Sequence, residues 1–179
     1  TEYKNEIDLL RADIPEITEI PVIKFMEAKE IIMKKFKYQP SDMKDFDPEE
    51  EQLLGKYAKK QFNSDFIFVT HYPSKKRPFY TMDDPEDPEY TLSFDLLFRG
   101  MEITSGGQRV HDYNAQVEKM KRLGMNPEEF DTYLMLHKYG APPHGGLGLG
   151  LERLTMHLLG FKNVREAAMF PRDINRVAP

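Results

Sequence analysis

The sequence predicts an α+β fold with a largely antiparallel β-sheet flanked by helices, because strand-like runs at hairpin spacing stand apart from helical stretches. Short β-rich runs at 66–70, 92–98 and 101–106 are bounded by turn residues. Helical patterns fill 25–36 and 48–62. A strand in which Gly alternates with Leu then runs directly into an apolar helical pattern at 144–154. With 179 residues the chain is long enough for one domain with a real core.

Each element has a local reason. Residues 1–20 are polar, and Pro15 and Pro21 interrupt any helix there. Phe25, Ala28, Ile32 and Phe36 fall on one helical face. Residues 41–48 are acidic and turn-like, and Asp47-Pro48-Glu49-Glu50 opens a helix that runs to about Phe62. Phe66 to Thr70 reads as a buried strand, 72–78 as a basic loop, and Phe79 to Met82 as a further strand. The Pro- and acid-rich stretch 83–89 is a loop, and Gly100 joins two strands by a tight connection or bulge. Helices follow from Asp112 to a cap at Gly124 and from Asn126 to about Tyr139. A short helix at 163–168 precedes the tail, and no internal repeat is visible.

Composition excludes several function classes. A net charge of −5 argues against a broad basic nucleic-acid surface. The absence of Cys rules out disulfides and thiolate metal sites. No apolar run approaches membrane-spanning length and no signal peptide is visible, so a soluble cytoplasmic protein is expected. The five His residues lack metal spacing.

Three groups carry candidate chemistry. If their strands pair, Asp95, Glu102 and Ser105 bring two carboxylates and a hydroxyl to one end of the sheet, a donor set suited to Mg²⁺. Spacing alone leaves open that the two acids are solvated strand residues. In Thr104-Ser105-Gly106-Gly107-Gln108-Arg109, paired glycines admit a ligand, and Gln108 and Arg109 supply donors for a carboxylate. The alternative is a loop with a surface arginine. The third group is His144-Gly145-Gly146-Leu147-Gly148-Leu149-Gly150-Leu151-Glu152-Arg153-Leu154. Strand interiors avoid Gly, so its repetition predicts that backbone or a flat ligand lies against that face, with Arg153 as a phosphate or adenine partner. Lys75-Lys76-Arg77 reads as a solvated basic loop, with a phosphate contact as the alternative.

These residues resemble a known family. Gly146 to Leu154 is similar to the third signature motif of class II aminoacyl-tRNA synthetases. Met101-Glu102-Ile103-Thr104-Ser105-Gly106-Gly107-Gln108-Arg109 resembles the substrate-site strand of the archaeal-type aspartyl enzymes. Phe170-Pro171-Arg172-Asp173-Ile174-Asn175-Arg176, Tyr72-Pro73 and Pro78-Phe79-Tyr80 fit the same subfamily, so the likeness covers nearly the whole chain. It implies activation of L-aspartate by ATP, then transfer of the aspartyl group to tRNA(Asp), with tRNA(Asn) open as a second acceptor. By the resemblance, Glu102 and Arg153 are catalytic, and Glu102 holds ATP-bound Mg²⁺ with Ser105 and Asp95. Ser105 and Arg109 bind aspartate, Arg153 lies against adenine and the γ-phosphate, and Gly150, Leu151 and Glu152 line the ATP site.

Departures from the family pattern also matter. The first motif (the dimer interface), the second motif (an α-phosphate Arg) and the anticodon-binding barrel belong upstream and are not visible. The chain begins at Thr1, so residues 1–179 are expected to be a fragment or processed chain: the C-terminal portion of a catalytic domain whose parent is a homodimer. Val110-His111-Asp112 departs from the acid-then-His pattern of many relatives, which bears on fine specificity. The competing readings are an asparaginyl enzyme, an asparagine-making paralogue, and a non-catalytic binding module. A motif-bearing sequence upstream of Thr1 would discriminate for a catalytic parent. The expected outcome is little or no aspartate-dependent ATP–pyrophosphate exchange by these 179 residues, and robust turnover would overturn it. Exposed sheet edge and apolar surface further predict self-association, against which a clean monomer in light scattering at high concentration would count.

Overall fold

A computed structural model describes residues 2–177. Five strands form one sheet in the order β1-β2-β3-β4-β5. They are β1 (Val22–Lys24), β2 (Phe66–Thr70), β3 (Ser93–Phe98), β4 (Met101–Arg109) and β5 (His144–Leu149). Only β1 and β2 are parallel; every other pairing is antiparallel. The expected α+β class and its largely antiparallel sheet are therefore observed.

Two helices, α2 (Phe25–Phe36) and α3 (Pro48–Phe62), form the crossover between β1 and β2. They cover one face of the sheet through Phe25, Ala28, Ile32, Leu54 and Ala58, packed against Ile67, Val69 and Leu97. On the other face Leu154 and Leu158 of α6 (Leu151–Leu158) pack on Phe66, Phe98 and Ile103. Helices α4 (Tyr113–Arg122) and α5 (Asp131–Lys138) flank the end of β4 and hold the loop before β3. Gln116 donates to the Phe79 carbonyl at 2.9 Å, and the Phe79 ring sits 5.2 Å from that of Tyr133.

Helix α3 starts where the sequence places it. Asp47 accepts from the Glu50 N–H at 2.9 Å and Glu50 accepts from the Asp47 N–H at 3.0 Å, a reciprocal cap with Pro48 at the first helical position. The other Glu50 oxygen pairs with Lys29 at 2.6 Å, both side chains being fully buried. Lys29 also donates to the Asp42 and Asp45 carbonyls, so one ammonium closes the 42–50 loop onto α2. At the middle of α3, Gly55 rests on the β3–β4 turn: a Cβ on Gly55 would lie 2.5 Å from the Gly100 nitrogen. That turn has left-handed backbone at Arg99 and Gly100, the conformation a two-residue hairpin favours.

Two expectations need correction. A short helix α1 (Lys4–Leu10) forms before Pro15, because the proline stands beyond its last turn. Phe79 to Met82 is not a strand. The Thr81 N–H donates to Pro78 in a turn, and only a single bridge, Thr81 to Arg109, meets β4.

Removing one member of a buried ion pair leaves the other charge uncompensated. Glu50→Ala is expected to destabilise the fold by about 3–5 kcal/mol in urea unfolding, and a loss below about 1 kcal/mol would contradict the role given to this pair.

Candidate active site

The register of the sheet builds the floor of the site. Asp95 lies opposite Ser105, and Ser105 opposite Gly148; Ser93, Gly107 and Gly146 form the next rung. Residues at even spacing share a face, so Arg109 joins Ser105 and Gly107. The missing side chains leave a pocket of about 270 Å³ walled by Arg77, Tyr80, Ser105 and Arg109. The flat group expected against the glycines is partly the chain's own. A Cβ on Gly146 would stand 2.9 Å from Arg109 Nη2 and 3.1 Å from its Cζ, so the guanidinium lies over that residue. The Arg109 guanidinium carbon is also 5.0 Å from the Tyr80 ring centre. At Gly148 nothing stands within 4 Å of an added Cβ, which leaves open space on the same strand.

Glu102 and Ser105 are three residues apart, a spacing that puts strand side chains on opposite faces. The pairing shifts between Leu96 and Leu97: Leu96 pairs with Thr104 but Leu97 pairs with Glu102, so Ile103 is the extra residue of a bulge. The parity change returns Glu102 to the face of Asp95 and Ser105. Arg153, in the first turn of α6, donates to the Glu102 carbonyl at 2.9 Å and approaches its carboxylate at 3.8 Å. Burial and the Asp95 charge push the Glu102 carboxyl up, against the pull of Arg153 and Arg77. Gly150 donates to the Ile103 carbonyl at 2.8 Å, anchoring the β5–α6 junction, while Leu151 and Glu152 are exposed beside it.

Two site residues escaped the sequence reading. Arg77 separates from the basic run that contains it. Lys76 pairs with Asp42 at 2.8 Å, whereas Arg77 turns inward to Asp95 at 2.6 Å and to the Ser105 hydroxyl at 3.1 Å. Its guanidinium also stacks 3.8 Å from the Tyr72 ring centre. The following Pro78, which favours an extended residue before it, was the available signal. Glu51 is one of three acids in the first turn of α3, and its carboxylate accepts the Glu102 N–H at 3.0 Å. Burial, then the charges of Glu102 and Asp95, push its carboxyl up despite that hydrogen bond. The histidines behave structurally where they are buried: His137 bonds the Val110 carbonyl at 3.1 Å.

Asp95, Glu102 and Ser105 are the oxygen donors that could take a divalent cation. Asp95 Oδ1 is buried with no hydrogen-bond partner, as a ligand atom would be. No group of three or more His, Cys, Asp or Glu able to hold a metal occurs among the described residues. Any cation here would take its remaining ligands from water or substrate, which is the habit of Mg²⁺ rather than of Zn²⁺. No helix among the described residues is long and apolar enough to cross a membrane.

A family model described as tRNA synthetases class II (D, K and N) matches residues 2–174. The Aspartate--tRNA(Asp/Asn) ligase of Thermus thermophilus is 51% identical over 176 residues, covering 98% of this chain and 41% of that protein. The chain thus spans about two fifths of the length of such relatives. An aspartyl tRNA synthetase structure from Entamoeba histolytica superposes with a TM-score of 0.84 at 38% identity, covering 89% of this chain and 33% of that one. The asparaginyl-tRNA synthetase of Pyrococcus horikoshii superposes with a TM-score of 0.85 at 34% identity, covering 98% and 42%. Sequence and structure place this chain in the class II tRNA synthetases of the D, K and N group, and it belongs to that family.

Proposed function

We propose that this chain is the C-terminal portion of the catalytic domain of an aspartyl-tRNA synthetase and carries the aspartate and γ-phosphate side of its site. The observation that bears most weight is Arg109, whose guanidinium is laid over Gly146 at the wall of the pocket. A guanidinium fixed in one plane takes a carboxylate by two parallel hydrogen bonds. The aspartate side chain supplies such a group; asparagine in the same place leaves the charge without an anion.

In this reading the aspartate α-carboxylate attacks the α-phosphorus of ATP, and the bond to the departing pyrophosphate breaks. A ribose hydroxyl at the tRNA 3′ end then takes the aspartyl group, releasing AMP; tRNA(Asp) is the acceptor, with tRNA(Asn) a second one as in the Thermus relative's name. No protein nucleophile is required. The protein's part is orientation and charge neutralisation. Arg153 would bind adenine and the γ-phosphate, Gly150, Leu151 and Glu152 would line the nucleotide, and Ser105 would serve both aspartate and the cation. Glu102, Asp95 and Ser105 would hold Mg²⁺, which would supply neutralisation of phosphate charge. Arg77 already occupies one Asp95 oxygen, so cation binding competes with an internal cation. The parent enzyme is proposed to be a cytoplasmic homodimer, with its α-phosphate arginine and anticodon-binding domain outside these residues.

Arg109→Leu is expected to weaken L-aspartate binding in calorimetry about 10- to 100-fold, the worth of a charge-assisted contact. Equal binding of L-asparagine and L-aspartate by the unaltered chain would sink the aspartate reading. Because the Glu102 carboxyl is held above its ordinary value, its stabilising effect is present at acid pH and lost as pH rises through the folded-state value. Glu102→Gln is therefore expected to raise the thermal midpoint near neutral pH and to give no gain well below the ordinary glutamate range. A lowered midpoint near neutral pH would contradict the charge balance described.

A further inference from the structure

We propose that Glu51 is a positioning residue for the cation site: it fixes the bulge that turns the Glu102 carboxylate toward Asp95 and Ser105. The inference rests on the reading of those three residues as the Mg²⁺ site, and it adds a member that supplies no ligand atom.

The argument begins with the ladder. The register shift admits Ile103 as an extra residue, and at that point the Glu102 N–H donates to a side chain, the Glu51 carboxylate, at 3.0 Å. A bulged strand is locally less constrained than a regular one, because one residue lacks an opposite number. A hydrogen bond from outside the sheet is a direct way to hold its conformation. Here the acceptor reaches the amide from α3, outside the sheet.

The acceptor is itself held at both ends. Glu51 and Gly55 are four apart and share a face of α3. Gly55 meets the backbone of Gly100 so closely that a Cβ would stand 2.5 Å from its nitrogen, which fixes the height of α3 above the β3–β4 turn. One residue earlier, Glu50 is tied to Lys29 and to the helix cap, which fixes the start of the helix. Between these two anchors the Glu51 side chain has one reach, and Glu102 is at its end.

A structural salt link does not account for Glu51. Among the described residues its carboxylate has no Lys or Arg within ion-pair distance, although the site around it is rich in charge. Nor is it a third ligand, since among the described residues no group of three His, Cys, Asp or Glu able to hold a metal is formed. An acid placed beside two other acids, with an amide as its bonded partner, is explained by what it does to that amide.

The test separates reach from charge. Mn²⁺ binding in the presence of ATP is measured by electron paramagnetic resonance on the unaltered chain and on E51Q and E51D, with thermal unfolding recorded for each. E51Q keeps the length and an acceptor oxygen; E51D keeps the charge but is one methylene short. Loss of a group that orients a ligand typically costs 10- to 100-fold in metal affinity. We expect E51D to lose about tenfold or more and E51Q to stay within about threefold of the unaltered chain. Two results overturn the inference alone: both variants unchanged, or E51Q losing as much as E51D, which would make the charge the active property. Absence of Mn²⁺ binding by the unaltered chain overturns the cation-site reading, and the inference with it. If either variant fails to fold, amide hydrogen exchange at Glu102 in the remaining one decides. Exchange at the unaltered rate in E51D, or accelerated exchange in E51Q, overturns the inference.

Discussion

A β-strand shows its side chains to a given face only at even spacing, and Glu102 and Ser105 are separated by three. The bulge at Ile103 resolves that conflict, and much of the site's geometry depends on it. With regular pairing, Glu102 would face α6 and its apolar cluster, and Asp95 and Ser105 would stand without a second carboxylate on their face. The parity change also lets the two sides of the sheet differ. Ile103 fills the core under α6, while its neighbour Glu102 shares the face of Asp95 and Ser105, so one irregular residue lets packing and polar groups sit side by side.

Around this point the fold spends its buried charges as clamps. Lys29 and Glu50 lock the crossover helices. Lys119 and Arg122 of α4 both grip Asp83, which also accepts from Ser74 at 2.6 Å and so fixes the loop that carries Arg77 and Tyr80. Arg99 bonds Asp65, Asp13 and the His157 carbonyl, tying the hairpin turn to segments far apart in sequence. Each clamp joins opposite charges directly, at hydrogen-bonding distance. Near the bulge the acids stand without such direct partners: burial first, then the neighbouring acids, push the Glu51 and Glu102 carboxyls up.

What the sequence made legible follows from the range of the signals. Helices α2 and α3 were readable because their periodicity and caps are local: Asp47, Pro48 and Glu50 sit within four residues. Asp95, Glu102, Ser105 and Arg109 were readable as candidates because residue type and strand pattern agreed, and the register then brought Asp95 and Ser105 face to face. The bulge was not readable, since nothing in Glu-Ile-Thr announces a parity change. Arg77 and Glu51 were missed for the opposite reason. Each has an ordinary local explanation, a basic loop or a helix-start acid, and only long-range packing separates them from Lys76 and Glu49. Phe79 to Met82 carries strand-forming residues, but its backbone is claimed by a turn and by Gln116.

The absence of a side chain at Gly146 has an evolutionary consequence. Because the guanidinium of Arg109 occupies the volume that a Cβ at 146 would fill, a side chain at 146 would push the flexible end of Arg109 aside, which couples the two positions. A methyl group at 146 is compatible only with a shorter or displaced residue at 109, and a lineage that changed one would have to change the other or lose the planar fork. Two codons 37 positions apart thus encode a single trait. Descent should treat them as one heritable character, written half in a long side chain and half in a missing one.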